Sequence, residues 1–278
     1  MSSVLDVFRL IPPGMPGKTR LARILLRRSS TLSTVLVRDR FGFQYEVPDL
    51  RDPIAFHLAI DGEYERETMN VIHAYLSPGG VFVDVGANVG LFSIPAAQYA
   101  GPRGRVVAAE ASPEVFSYLQ RNVRANNCSQ VDCLQCAVCA SDGSVSFYPA
   151  PNEHFGMGSM GPQFNTEPIQ VPARTLDGIL EEKGIADVDV LKIDVEGFEA
   201  AVLKGAMRLL AGKCPPLIVF EFCDWAEARL PDGKMGAAQE FLFECGYSVW
   251  RLSDFLKGKD PLRESITSDY SMLVGFRR

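Results

Sequence analysis

Four carboxylates, Asp84, Glu110, Asp194 and Glu221, stand at or near the ends of apolar runs, and the first opens into the turn Gly86-Ala87-Asn88-Val89-Gly90. Glycine at 86 and 90 lets the backbone approach a ligand where any Cβ would clash. The helix expected from about 91 to 99 then points its N-terminus at that ligand, as in a nucleotide-type cofactor loop. Glu110, which closes Arg105-Val106-Val107-Ala108-Ala109-Glu110, is placed to accept hydrogen bonds from two ribose hydroxyls. Asp194, Glu196 and Glu221 add an acidic rim that can take up a proton, and Asp194 with Glu196 or Glu221 could instead hold Mg²⁺ through oxygen ligands. His154, one of three histidines, is a further candidate base by residue type.

Periodicity supplies the elements that must position these groups. Strands are predicted over 81–85, 105–110, 131–138, 188–193, 216–222, 247–252 and 271–275, with helices over 91–99, 113–126, 175–183, 197–210 and 234–245. Their alternation indicates a doubly wound α/β domain, in which strand ends on one sheet edge form the crevice where Asp84, Glu110 and Asp194 converge. A basic helix and a hairpin, 33–38 with 41–47, read as an N-terminal cap over 1–54, leaving 55–278 as the main domain. One helical pattern runs from 55 to 76 through Gly62-Glu63-Tyr64-Glu65. Residues 149–172, rich in Gly, Pro, Met and polar types with little periodicity, read as a lid over the crevice.

Composition narrows the class. A chain of 278 residues with 47% hydrophobic and 22% charged content can bury one large core and lacks the bias of disordered chains. No apolar run is long enough to cross a bilayer. Arg9, Pro12, Pro13 and Lys18 interrupt the N-terminal stretch, which therefore does not read as a signal peptide, and cytoplasmic residence is the expectation. Residues 1–40 carry eight Lys or Arg against two Asp, a net +6, whereas residues 41–278 carry 20 against 32, a net −12. The charge of the body disfavours nucleic acid. The basic segment 18–28 either folds onto that body or makes peripheral contact with an anionic membrane. Cys128, Cys133, Cys136 and Cys139 have a spacing that invites a metal or iron–sulfur reading. On a strand over 131–138, however, Cys133 and Cys136 point to opposite faces, so the seven cysteines read as free thiols, largely buried.

The segments Gly62-Glu63-Tyr64-Glu65, Asp84-Val85-Gly86-Ala87-Asn88-Val89-Gly90, Glu110-Ala111-Ser112-Pro113 and Leu191-Lys192-Ile193-Asp194-Val195-Glu196-Gly197-Phe198-Glu199 together resemble a known family. It is the class I methyltransferases that use S-adenosylmethionine, and within them the FkbM type. The resemblance implies a mostly parallel, seven-stranded Rossmann-like sheet finished by an antiparallel C-terminal hairpin strand. It also implies transfer of a methyl group to a hydroxyl of a sugar, glycolipid or polyketide-type natural product, so the partner is a small-molecule or glycan acceptor. Asp84 with Gly86, Ala87, Asn88 and Gly90 should approach the methionine part of the cofactor, which Tyr64 and Glu65 could also reach. Glu110 should hold the ribose with Ala111 and Ser112 beside it, and Cys136, Ala137 and Val138 should meet the adenine. Asp194, which also touches the cofactor in this scheme, heads the candidate bases, followed by Glu221 and His154; a metal ion is left open. Two other readings stand beside this one. A nicotinamide-dependent oxidoreductase would use Glu110 equally well, but Asn88 occupies the second glycine position of the dinucleotide fingerprint. A catalytically silent binding protein would be expected to have lost Asp84, Gly86 or Glu110, and all three are present.

Overall fold

The strands that carry the acids are apolar on both faces, which suits a parallel sheet covered by helices on each side. A computed structural model describes residues 8, 11, 15, 17–26, 34–164, 167–230 and 234–277. The chain opens with α1 (Lys18–Leu26), β1 (Val35–Arg38), β2 (Gln44–Val47), α2 (Pro53–Asp61) and α3 (Arg66–Tyr75). The first half of the main sheet follows as β3 (Val81–Val85), α4 (Ser93–Ala100), β4 (Arg105–Glu110), α5 (Pro113–Ala125) and β5 (Val131–Gln135). An insertion comprises β6 (Ala137–Val138), β7 (Gly143–Phe147), a 3₁₀ helix (Asn152–Met157) and β8 (Ile169–Arg174). The second half contains α6 (Leu176–Glu182), β9 (Val190–Ile193), α7 (Glu199–Lys204), α8 (Met207–Ala211), β10 (Leu217–Cys223) and α9 (Asp224–Glu227). It ends with α10 (Ala237–Glu244), β11 (Ser248–Arg251), α11 (Leu252–Phe255) and β12 (Tyr270–Phe276).

The seven-stranded sheet has the order β11-β12-β10-β9-β3-β4-β5. Strands β5, β4, β3, β9 and β10 run parallel, and β12 is antiparallel to both β10 and β11. Because β4 and β9 flank β3, the chain leaves the sheet in opposite directions on either side of it, and this switch point opens a crevice at the strands' carboxyl ends. Alternate residues serve opposite layers. Phe82, Val106, Ala108, Val190 and Val219 pack with α2 to α5, whereas Val83, Val107, Leu191, Ile218 and Phe220 pack with α6, α7, α8 and α10.

Four expectations are corrected by tertiary context. The pattern over 55–76 forms two helices, because Gly62 (φ 72°) and Glu65 (φ 39°) are left-handed and turn the chain at Tyr64. The strand expected over 131–138 breaks at Cys136: pairing with β4 ends at Glu110↔Gln135, after which Ala137 and Val138 join β8 in a separate sheet. That sheet, ordered β6-β8-β7, makes the last part of the supposed loop 149–172 a strand. The 3₁₀ turn with buried Phe155 orders the first part. The helix expected over 197–210 divides at Gly205, where a Cβ would overlap the Cys139 carbonyl oxygen.

The N-terminal hairpin forms as expected from residue 35; Ser33 lies outside the described residues. Its outer strand is clamped by side chains rather than extended by another strand. Asn122 accepts from the Glu46 N–H at 2.7 Å and donates to the Glu46 carbonyl, and Asn126 forms the equivalent pair with Gln44. Helix α1 lies against the body through Ala22 and a 2.6 Å ion pair between Lys18 and Asp61; Arg27 and Arg28 fall outside the described residues. No helix among the described residues is long and apolar enough to cross a membrane. All seven cysteines are free thiols, and Cys133, Cys136 and Cys139 belong to three different packing clusters.

Asn122 is fully buried and also donates to the Val89 carbonyl at the end of the glycine turn. Asn122→Ala orphans these backbone groups, and urea unfolding should show a loss of about 2–4 kcal/mol.

Candidate active site

The crevice floor begins at the glycine turn. Gly86 (φ 80°) has no room for a side chain, since a Cβ would overlap the Asp194 carbonyl oxygen of the neighbouring strand end. The Gly86 and Ala87 N–H groups both donate to the Ala109 carbonyl, tying the turn to β4. Asn88 is also left-handed (φ 50°), stabilised by a 2.8 Å bond from the Val89 N–H to its side-chain oxygen. Glu110 then completes the loop by accepting from the Asn88 N–H at 2.9 Å and the Ser112 N–H at 2.8 Å. Burial pushes the Glu110 carboxyl up to about 7, against the lowering effect of those two bonds.

Beneath the turn lies a buried charge network. The Lys192 ammonium, 1% exposed, donates to Asp194 at 3.0 Å and stands 3.8 Å from Asp84 and 4.6 Å from the Phe92 ring centre. Burial opposes its charge, but Asp194, Asp84 and Glu65 outweigh that effect and hold its pKa above the ordinary lysine value. Asp84, fully buried, also accepts from the Ser93 hydroxyl at 2.6 Å.

On the other side of Lys192 the carboxyl ends of β9 and β10 bring Asp194, Glu196 and Glu221 together, with one oxygen from each within 4.8 Å of the others. Glu196 sits in a left-handed turn (φ 55°) that Glu199 holds by accepting from the Val195 and Gly197 N–H groups. Burial and the Asp194 charge push Glu196 up to about 7. Burial, then Asp194 and Glu196, raise Glu221 well above the usual carboxylate range. The insertion roofs this corner. Ser159 donates to the Glu196 carbonyl at 3.1 Å, and a Cβ on Gly158 would strike the Phe147 ring.

Most residues expected at the cofactor share this one crevice: Tyr64, Gly86, Ala87, Asn88, Glu110, Ala111, Ser112, Ala137 and Asp194 line it, as does Glu221. Four expected residues do not. Asp84 lies behind the wall, where its partners are Lys192 and Ser93. Gly90 packs against Ile94 and Leu119. Glu65 accepts from Thr68 and borders a neighbouring groove with Arg251 and Tyr270. His154 stacks on Phe164 and acts electrostatically on Asp52. The residues missed from sequence are Phe92, Phe147, Phe155 and the run Gly156, Gly158, Ser159 and Met160. Closely spaced small residues around Phe155 are the one signal that could have marked that run as a tightly seated roof.

The Methyltransferase FkbM domain family matches residues 84–249 of the chain. Methyltransferase 1 of Beauveria bassiana is 32% identical over 142 residues, 44% of this chain and 57% of its own length. The 31-O-demethyl-FK506 methyltransferase FkbM of Streptomyces tacrolimicus is 30% identical over 212 residues, 63% of this chain and 75% of its own. The hexuronic acid methyltransferase AglP of Haloferax volcanii is 25% identical over 146 residues, 52% of this chain and 58% of its own. The matched chain thus spans less than two thirds of the first and last of these relatives.

Two outcomes follow from the charges. Lys192→Met removes the counter-ion of Asp84 and should destabilise the fold by about 3–5 kcal/mol in denaturant titration. Glu110 binds its proton more tightly folded than unfolded, so its contribution to stability is full below the ordinary carboxylate value and disappears as pH rises through about 7. Thermal melts of wild type and Glu110→Gln should therefore diverge in the variant's favour between pH 5 and pH 8, by about 1–3 kcal/mol.

Proposed function

From the premise that the chain belongs to the FkbM methyltransferase family, we propose that it transfers a methyl group from S-adenosylmethionine to a hydroxyl oxygen of a carbohydrate-containing or natural-product acceptor. The observation that carries this reading is the position of the carboxylates Asp194, Glu196 and Glu221, at the corner of the same crevice that holds the glycine turn and Glu110. Two relatives support the acceptor class by what they are named for, a 31-O-demethyl compound and a hexuronic acid.

The residues fit the cofactor. Each Glu110 oxygen accepts one backbone N–H, leaving a second lone pair on each for a ribose hydroxyl. Cys136, Ala137, Val138, Phe147 and Met160 offer an apolar wall to a flat base. Gly86 and Ala87 leave the wall without bulky side chains where a sulfonium and its carbon chain would pass. When bound, S-adenosylmethionine supplies a methyl group already activated on a positively charged sulfur.

The chain's own residues then have two tasks. Tyr64, Asn88 and the roof over 155–160 hold the reactants in line and limit water, which is where most of the rate advantage of such a displacement arises. The acidic corner receives the hydroxyl proton, since a sugar hydroxyl is a poor nucleophile while it keeps it. Lys192 holds Asp194 in place through their 3.0 Å bond, keeping this corner ordered before the acceptor arrives.

Asp194→Asn should leave S-adenosylhomocysteine affinity within about threefold of wild type and lower turnover about 10²-fold or more, measured by calorimetry and by methyl transfer to a glycan and polyketide panel. Glu110→Ala should do the opposite first, weakening calorimetric affinity by at least about tenfold through loss of charge-assisted hydrogen bonds. Unchanged affinity in Glu110→Ala would remove the cofactor assignment, and unchanged turnover in Asp194→Asn would remove the proton assignment.

A further inference from the structure

Of the three carboxylates at the acidic corner, only Asp194 has an ion-pair partner among the described residues, Lys192 at 3.0 Å. Glu221 is 8% exposed, yet its Oε2 is buried with no hydrogen-bond partner. Such an orphaned oxygen costs free energy unless something absent from the protein alone satisfies it. The charged groups bearing most strongly on Glu221 are further acids, Asp194, Glu196, Glu199 and Glu65. Lys192, the buried cation nearest this corner, is already shared between Asp194 and Asp84.

Geometry and donor chemistry then agree. One oxygen from each of Asp194, Glu196 and Glu221 lies within 4.8 Å of the others. Oxygens of one octahedral shell around Mg²⁺ are about 3.0 Å apart when adjacent and about 4.2 Å when opposite, so three oxygens this close can be drawn onto one such ion by side-chain rotation. An all-carboxylate set selects hard cations over Zn²⁺ or copper. Asp194 and Glu196 come from the turn after β9 and Glu221 from β10, two strands locked in parallel register from Leu217↔Val190 to Phe220↔Ile193. The backbone of the turn is braced by Glu199 and by Ser159 of the roof, and Gln163 donates to the Glu196 carboxylate at 3.4 Å.

We propose that Asp194, Glu196 and Glu221 form a site for one hard divalent cation, Mg²⁺ or Mn²⁺, on the acceptor side of the crevice. This inference rests on the methyl-transfer reading for its purpose. Three protein oxygens leave coordination positions open, and a hydroxyl that occupies one is oriented and made more acidic by the ion. The cation would thus choose acceptors that can place an oxygen at this corner.

Chelator-treated full-length protein is titrated with Mn²⁺, followed by its electron paramagnetic resonance signal, and with Mg²⁺ by competition. A single saturable site that Mg²⁺ displaces is expected, weakened tenfold or more in both Glu196→Gln and Glu221→Gln. Glu196 is half-buried on a turn, which keeps the test open should Glu221→Gln fail to fold. Absence of saturable Mn²⁺ binding in wild type, or equal binding in folded Glu196→Gln, overturns the site. S-adenosylhomocysteine titration of the same chelated samples separates the two ideas. Cofactor binding without metal binding sinks only the cation site, whereas metal binding without cofactor binding leaves the site standing and removes the methyl-transfer reading.

Discussion

A lysine ammonium buried in the middle of a parallel sheet must find negative charge nearby, and the position of Lys192 on β9 passes that requirement to everything around it. Its neighbour in register on β3 is Asp84, and two residues along its own strand comes Asp194. Asp84 in turn holds the Ser93 hydroxyl at the start of α4, so both ends of the glycine turn are tied to one another across a 2.6 Å bond. The turn between them has little freedom left. Phe92, lying over the ammonium, closes the same knot from the helix side. The preformed glycine turn is thus a consequence of how one buried charge is balanced.

The knot also divides the crevice electrostatically. Toward β4 the single acid is Glu110, held by backbone N–H groups and bordered by small or apolar side chains, a setting suited to sugar and base. Toward β10 three acids crowd together, and among the described residues only Asp194 of the three pairs with a buried cation, a setting suited to proton uptake and to a metal ion. Lys192 stands between and lends its charge to the acidic side through Asp194. Under the proposed methyl transfer, a donor carrying positive charge and an acceptor giving up a proton would meet at a boundary where negative potential is high. The roof over 155–160 borders this corner, and its bond from Ser159 to the Glu196 carbonyl couples roof position to the acids.

Several features that seemed local prove to be long-range. Tyr64 and Glu65 are adjacent in sequence but face different cavities, because the left-handed Glu65 turns the chain between them. Asp84 carries the acid expected beside a glycine loop, yet it points to Lys192 instead of the crevice. Cys133, Cys136 and Cys139 scatter because the chain leaves the main sheet at Cys136, where β4 has no further residue to pair.

The sequence by itself determined the sheet, the glycine turn, the acid at each strand end and the family. These are written in periodicities of two and 3.6 residues and in the absence of Cβ atoms, properties that neighbours along the chain share without help. Tertiary structure alone decided which acids face the crevice, where long patterns break into two elements, and that a segment poor in periodicity becomes a strand and a roof. Those outcomes turn on partners far away in sequence: Asp84 on Lys192, Gly205 on Cys139, Ser159 on Glu196. Alternation along a strand sets the face a side chain takes, but the partner it meets on that face is visible only once the strands lie side by side.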